Sequence, residues 1–103
     1  MKGFGDLMKQ AQRMKAELER IQEAAAEKRV EGSAGGGMVT VTADGRGEIV
    51  AVRIDPEVIQ GGDLEMLQDL IVAASNEALR RARDLLTGEM GRLTGGLNLP
   101  GLV

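Results

Sequence analysis

Lys9, Arg13 and Arg20 recur along the first thirty residues at spacings that put them on one strip of a helix, with Lys15 and Arg29 flanking it. Such a row can meet successive phosphates of a nucleic-acid backbone, which sets register and affinity without reading sequence. The alternative is a solvated face carrying i,i+4 pairs, Arg13 with Glu17 and Lys15 with Glu19. Glu23 and Glu27 turn the same strip acidic toward residue 29. A second set comprises Asn76, Arg80 and Arg83, which share a polar helical strip with Thr87, and the nearby Arg92. Asn and Arg can make bidentate contacts to the edges of A and G. Here the alternative is ion pairing of Glu77 with Arg80 and Arg81, and of Arg80 with Asp84.

The remaining candidates are weaker. Gly32 to Gly37 could present backbone N–H groups to an anion, but no Lys-Ser/Thr follows as in a P-loop, so a structural corner is expected. Asp55 with Glu57, and Asp63 with Glu65, could pair as acid and base or hold a cation. Both sets also sit where helix N-termini favour acids. The chain has no Cys and no His, so thiolate nucleophiles, imidazole bases and His- or Cys-ligated metals are excluded. It has no Trp or Tyr and a single Phe, so base stacking on an aromatic platform is excluded too. No catalytic residue, metal, cofactor or small-molecule substrate is expected.

These side chains need elements to position them, and 103 residues suggest one domain. Phe4, Leu7, Ala11, Met14, Leu18, Ile21 and Ala25 recur at alternating spacings of three and four. That heptad seam predicts a helical arm over 6–29, roughly 36 Å long, with Asp6 in its cap or first turn. Residues 30–55 read as a three-stranded antiparallel β-meander, with Asp44-Gly45 marking a hairpin. Asp55-Pro56-Glu57 predicts a short helix over 56–60, and Gly61-Gly62 ends it. Asp63 can cap a second long helix over 63–87 that stops at Thr87-Gly88, and 88–103 reads as a Gly-rich flexible tail with a short helical piece near 89–94.

The fold class is α+β, a two-layer helix, three-stranded antiparallel sheet, helix arrangement with long helical arms. A small sheet only about 20 Å across leaves such arms overhanging. A homodimer that covers the seam (Leu7, Met14, Leu18, Ile21) or completes the sheet would hide the bare apolar surface. The net charge is −3, yet residues 1–29 carry seven basic and five acidic residues. A positive arm on an acidic protein follows. The N-terminus lacks a signal-peptide pattern and no run of about 18 apolar residues occurs, so a cytoplasmic location without membrane partners is expected.

Four segments in order resemble the YbaB/EbfC family of bacterial nucleoid-associated proteins. They are Leu7-Met8-Lys9-Gln10-Ala11-Gln12, Gly35-Gly36-Gly37-Met38-Val39, Ile54-Asp55-Pro56-Glu57-Val58-Ile59, and the run from Met66 to Ala78. The ending Gly96-Leu97-Asn98-Leu99-Pro100 fits as well, and Ser75 departs from the Phe that members often carry. The resemblance covers nearly the whole chain. It implies a cytoplasmic homodimer at the nucleoid, with helical arms projecting from a β-rich centre and binding double-stranded DNA. In a different class, the seam and arms would bind proteins of the replication or recombination machinery, with no direct DNA contact. The acidic net charge favours that alternative.

Overall fold

A computed structural model of the chain describes residues 2–97, with side chains described over residues 3–92. Helix α1 (Lys2–Glu27) leads into strands β1 (Arg29–Ala34), β2 (Val39–Asp44) and β3 (Ile49–Ile54). The short α2 (Pro56–Gln60) and the long α3 (Leu64–Leu97) follow. The strands form one antiparallel sheet in the order β1-β2-β3. This is the expected α+β order.

Both hairpins are built by local chemistry. Gly35, Gly36 and Gly37 all take left-handed φ, which only glycine adopts without strain, and they turn β1 into β2. This run is a structural corner. At the second turn the Asp44 carboxylate accepts hydrogen bonds from the Arg46 and Glu48 amides at 2.9 and 3.1 Å. These bonds hold its pKa below the usual carboxylate value, the Glu48 amide contributing most. Asp55 caps α2 by accepting from the Glu57 amide at 3.0 Å, with Pro56 in the first turn. Asp63 accepts from the Met66 amide at 3.0 Å at the start of α3. The two acidic pairs singled out as possible acid–base chemistry thus contain the capping residues of helix N-termini.

The core sits between β2 and α3. Val39, Val41 and Ala43 project from alternate positions of β2 onto Ala74 and Ala78, and all five are fully buried. Alanines let α3 lie close to the sheet. Gly32 on β1 completes the fit, because a Cβ there would run into the Ala74 carbonyl and the Ala78 amide nitrogen. Arg81 reaches from α3 to the Glu31 carbonyl at 2.8 Å and pairs with Glu77 at 2.9 Å, fixing α3 over the β1 side.

The β3 side is left open. Val52 is the register partner of Val41, yet it is 47% exposed while Val41 is fully buried. Ile49 and Val50 are exposed to a similar extent. A register shift between Thr42 and Ala43 sets Ile49 opposite Ala43 and leaves Val50 as the extra residue of β3. By 100° per residue, the flank of α3 turned away from Arg81 and β1 carries Leu64, Val72, Leu79 and Leu86. An apolar strand therefore lies beside an apolar helix flank with nothing above it.

Two element boundaries differ from expectation. α1 begins at Lys2 rather than residue 6, running through Gly3 and Gly5, so Asp6 lies inside the helix rather than at its cap. α3 runs to Leu97 instead of stopping at 87, so the stretch expected to open a Gly-rich tail is helical to that point. An isolated helical glycine costs only about 1 kcal/mol. Between Gly88 and Gly91, Glu89 accepts from Lys28 at 3.2 Å, and a Cβ at either glycine would meet no neighbour. The rest of the expected tail, 98–103, lies outside the described residues.

Candidate nucleic-acid interface

The root of α1 is fastened to the sheet and to α3. Ile21 and Ala25 are buried, and the Ala25 carbonyl accepts from the Gly45 amide at 2.9 Å. Beyond that root α1 runs free. α3 spans roughly 51 Å at 1.5 Å per residue, whereas the molecule is 71 Å long. Lys28 lies level with Glu89, so the N-terminal part of α1 projects past the end of α3. The seam follows this gradient. Ile21 is 5% exposed, Met14 and Leu18 are half-buried, and Leu7 is 61% exposed, with Phe4 and Met8 bare beside it.

The cations fall into three groups that the fold keeps apart. The first is on the projecting arm. Lys9, Arg13 and Lys15 are exposed and, among the described residues, form no ion pair or side-chain hydrogen bond. The expected pairs Arg13 with Glu17 and Lys15 with Glu19 are therefore not made. Lys9 and Arg13 lie four residues apart on the face opposite the seam, while Lys15 borders it. Residues 1–16 contain four cations and one acid, so this end is locally positive.

The second group is at the junction of α1 and α3, and here the cations are engaged. Arg20 pairs with Glu17 through its Nε and Nη2, and that hydrogen bonding holds the Glu17 carboxyl below its usual range. Lys28 and Arg92 both donate to Glu89 Oε1, at 3.2 and 3.3 Å. The Lys28 hydrogen bond, then the Arg92 charge, lower the pKa of Glu89. Arg29 donates to the Ala26 and Lys28 carbonyls at 2.8 and 3.2 Å, closing the C-terminus of α1.

The third group is on the outer face of α3. Asn76, Arg80 and Arg83 are exposed side by side at i, i+4 and i+7. Among the described residues Arg80 and Arg83 make no ion pair, whereas Arg81, one residue along from Arg80, is tied to Glu77 and the Glu31 carbonyl. The expected pairs of Arg80 with Glu77 and Asp84 are not formed. Arg53 on β3 was not singled out from the sequence. It is exposed and unpaired, on the sheet face away from α3. A strand position with period-two alternation was its only signal.

Two hollows among the described residues are small. One of about 140 Å³ is lined by Val58, Ile59, Gly62, Asp63, Leu64 and Leu67. Among the described residues no group of three or more acidic side chains is placed to share a cation. No described helix is long and apolar enough to cross a membrane. What the surface does offer is unpaired positive charge on exposed helical faces.

Comparison with known proteins agrees with that chemistry. Residues 1–97 match the model of a family described as the YbaB/EbfC DNA-binding family. A protein of Acetivibrio thermocellus named nucleoid-associated protein is 55% identical, covering 97% of this chain and 93% of its own. One of the same name from Alkaliphilus metalliredigens is 52% identical, covering 96% and 87%. A solved structure of the uncharacterized protein HP0035 from Helicobacter pylori superposes with a TM-score of 0.81. It is 26% identical and covers 89% of this chain and 97% of its own.

Proposed function

The chain belongs to the YbaB/EbfC DNA-binding family, and from that membership we propose that it binds double-stranded DNA at the nucleoid as a homodimer, through phosphate contacts from its helical arms. The observation that carries the phosphate reading is the set of unpaired, exposed cations Lys9, Arg13 and Lys15 on the part of α1 that projects from the body. Cations without an internal partner condense counterions or phosphates, and release of those ions drives association. Arg80 and Arg83, with Asn76 between α3 turns, form a second such surface. Few side chains are placed to read base edges, so binding tolerates many sequences. Residues 30–103 hold six basic and eleven acidic residues, so the negative net charge lies away from the arm.

The dimer reading is supported by β3. Its edge is unpaired and its apolar side chains are half exposed, although the strand beside it is buried. Two copies meeting at β3 about a two-fold axis would join their sheets and cover Val50 and Val52 with each other's α3 flank. Each dimer then carries two arms. Bare Phe4, Leu7 and Met8 favour a second role in contacting partner proteins, such as those of replication or recombination.

The test is a duplex titration by fluorescence anisotropy with wild type and Lys9→Glu/Arg13→Glu. Wild type should bind, and the double reversal should weaken binding by at least tenfold at low salt, on the order expected for two lost phosphate contacts and added repulsion. Equal binding by the two proteins would remove the arm from the interface. No binding by either, with a protein partner captured through the seam, would favour the adaptor role.

A further inference from the structure

We propose that Glu89 occupies a phosphate site formed by Lys28 and Arg92 at the root of the arm, and that a backbone phosphate of duplex DNA displaces it. The inference rests on the DNA-binding reading above and adds a masked site to it. Lys28 comes from the end of α1 and Arg92 from α3, and both donate to one oxygen of the same carboxylate. Arg20 lies close enough for its charge to act on Glu89 as well. Two cations from separate parts of the chain therefore converge on one anion, an arrangement that also suits a phosphate oxygen.

The site is open to exchange. The Lys28 side chain is 45% exposed and that of Arg92 80%, so each tie is a surface ion pair of small net strength. A phosphate, with more acceptor oxygens than a single carboxylate oxygen in use here, can satisfy the same donors without moving α1. The negative end of the α1 dipole would oppose an anion at this place. The Arg29 guanidinium already covers the Ala26 and Lys28 carbonyls and removes much of that opposition. The position also extends the arm's positive surface toward the body, with Arg20 on the same strip as Lys9 and Arg13.

Masking has a distinct thermodynamic mark. A cation paired internally holds no condensed counterion or phosphate, so it adds little to the salt dependence of binding until its carboxylate is gone. The experiment titrates a short duplex into full-length wild type, Glu89→Gln and Glu57→Gln over a salt series. Glu57→Gln makes the same change of net charge on α2, away from the junction. Glu89→Gln should bind several-fold tighter at low salt, with a log–log salt slope steeper by roughly 0.9 for each cation released. Adding Lys28→Gln and Arg92→Gln to Glu89→Gln should return both quantities toward wild type. Circular dichroism should report unchanged helix content throughout.

If wild type binds and Glu89→Gln gains no more than Glu57→Gln, the mask is wrong while the DNA-binding reading stands. If neither wild type nor Glu89→Gln binds, both fall. A loss of helix in Glu89→Gln would make Glu89 a structural tie and overturn the mask.

Discussion

Val41 and Val52 face each other across β2 and β3, the same residue type in the same sheet, and one is fully buried while the other is 47% exposed. What separates them is α3, which packs mainly on β1 and β2 and only slightly on β3, where Ile54 reaches the core. α1 repeats the contrast along a single helix, with Ile21 buried at the root and Leu7 bare toward the tip. One half of the molecule therefore has its apolar surface closed within the chain. The other half presents equivalent surface outward, beside unpaired cations. The first half makes the fold, and the second is available for partners.

The largest break in that contrast should come from Gly32→Ala. The added methyl meets the α3 backbone at Ala74 and Ala78, which cannot move aside as a flexible side chain would. A loss of about 3 kcal/mol in urea unfolding is expected. Val41→Ala should follow, at about 2 kcal/mol from lost transfer free energy and a small cavity. Val52→Ala, its partner, should change the stability of a dilute monomer by less than about 0.5 kcal/mol. Val52→Asp should instead shift sedimentation from dimer to monomer without unfolding the chain. A Val52→Ala cost in dilute monomer equal to that of Val41→Ala would mean that β3 is closed within the chain.

A smaller effect concerns the turn that joins β2 to β3. Asp44 is more acidic in the folded chain than its ordinary value of 3.8, chiefly through the Glu48 amide. A lowered folded pKa contributes stability that is present above the unfolded pKa and is lost as pH falls through the folded value. Asp44→Asn should therefore lower Tm at neutral pH, and the two Tm curves should converge below pH 3.8. Curves that stay parallel into acid would remove the carboxylate's charge from the explanation. A modest change should come from Arg81→Ala, which loses an exposed pair with Glu77 and a bond to the Glu31 carbonyl. About 0.5 to 1 kcal/mol is expected by thermal unfolding.

Features set by local chemistry were legible in the sequence. Asp55 before Pro56 caps α2, Asp63 caps α3, and the glycines at 35–37 turn the chain. The heptad seam and the period-two strands gave the element order for the same reason, since one residue's neighbours in sequence decide its face. Features that depend on distant partners were not legible. Thr87-Gly88 read as a helix stop, but α3 continues through Gly88 and Gly91 to Leu97. Gly32 read as part of a loose corner, and its need for space became visible only with α3 above it.

The candidate site divides in the same way. The positions of Lys9, Arg13, Arg80 and Arg83 on exposed strips followed from helical spacing. Which cations stay unpaired did not, because Arg20 finds Glu17 three residues back and Lys28 finds Glu89 across the fold. Arg53 escaped notice because one cation in a strand has no spacing pattern to mark it.

The most direct measurement is the salt dependence of duplex binding for wild type beside Lys9→Gln/Arg13→Gln/Lys15→Gln. If the bare arm is the DNA-contacting half of the molecule, log affinity for wild type falls steeply with log salt. The triple variant's slope should then be shallower by roughly 0.9 per contact removed. Parallel lines for the two proteins would contradict the account.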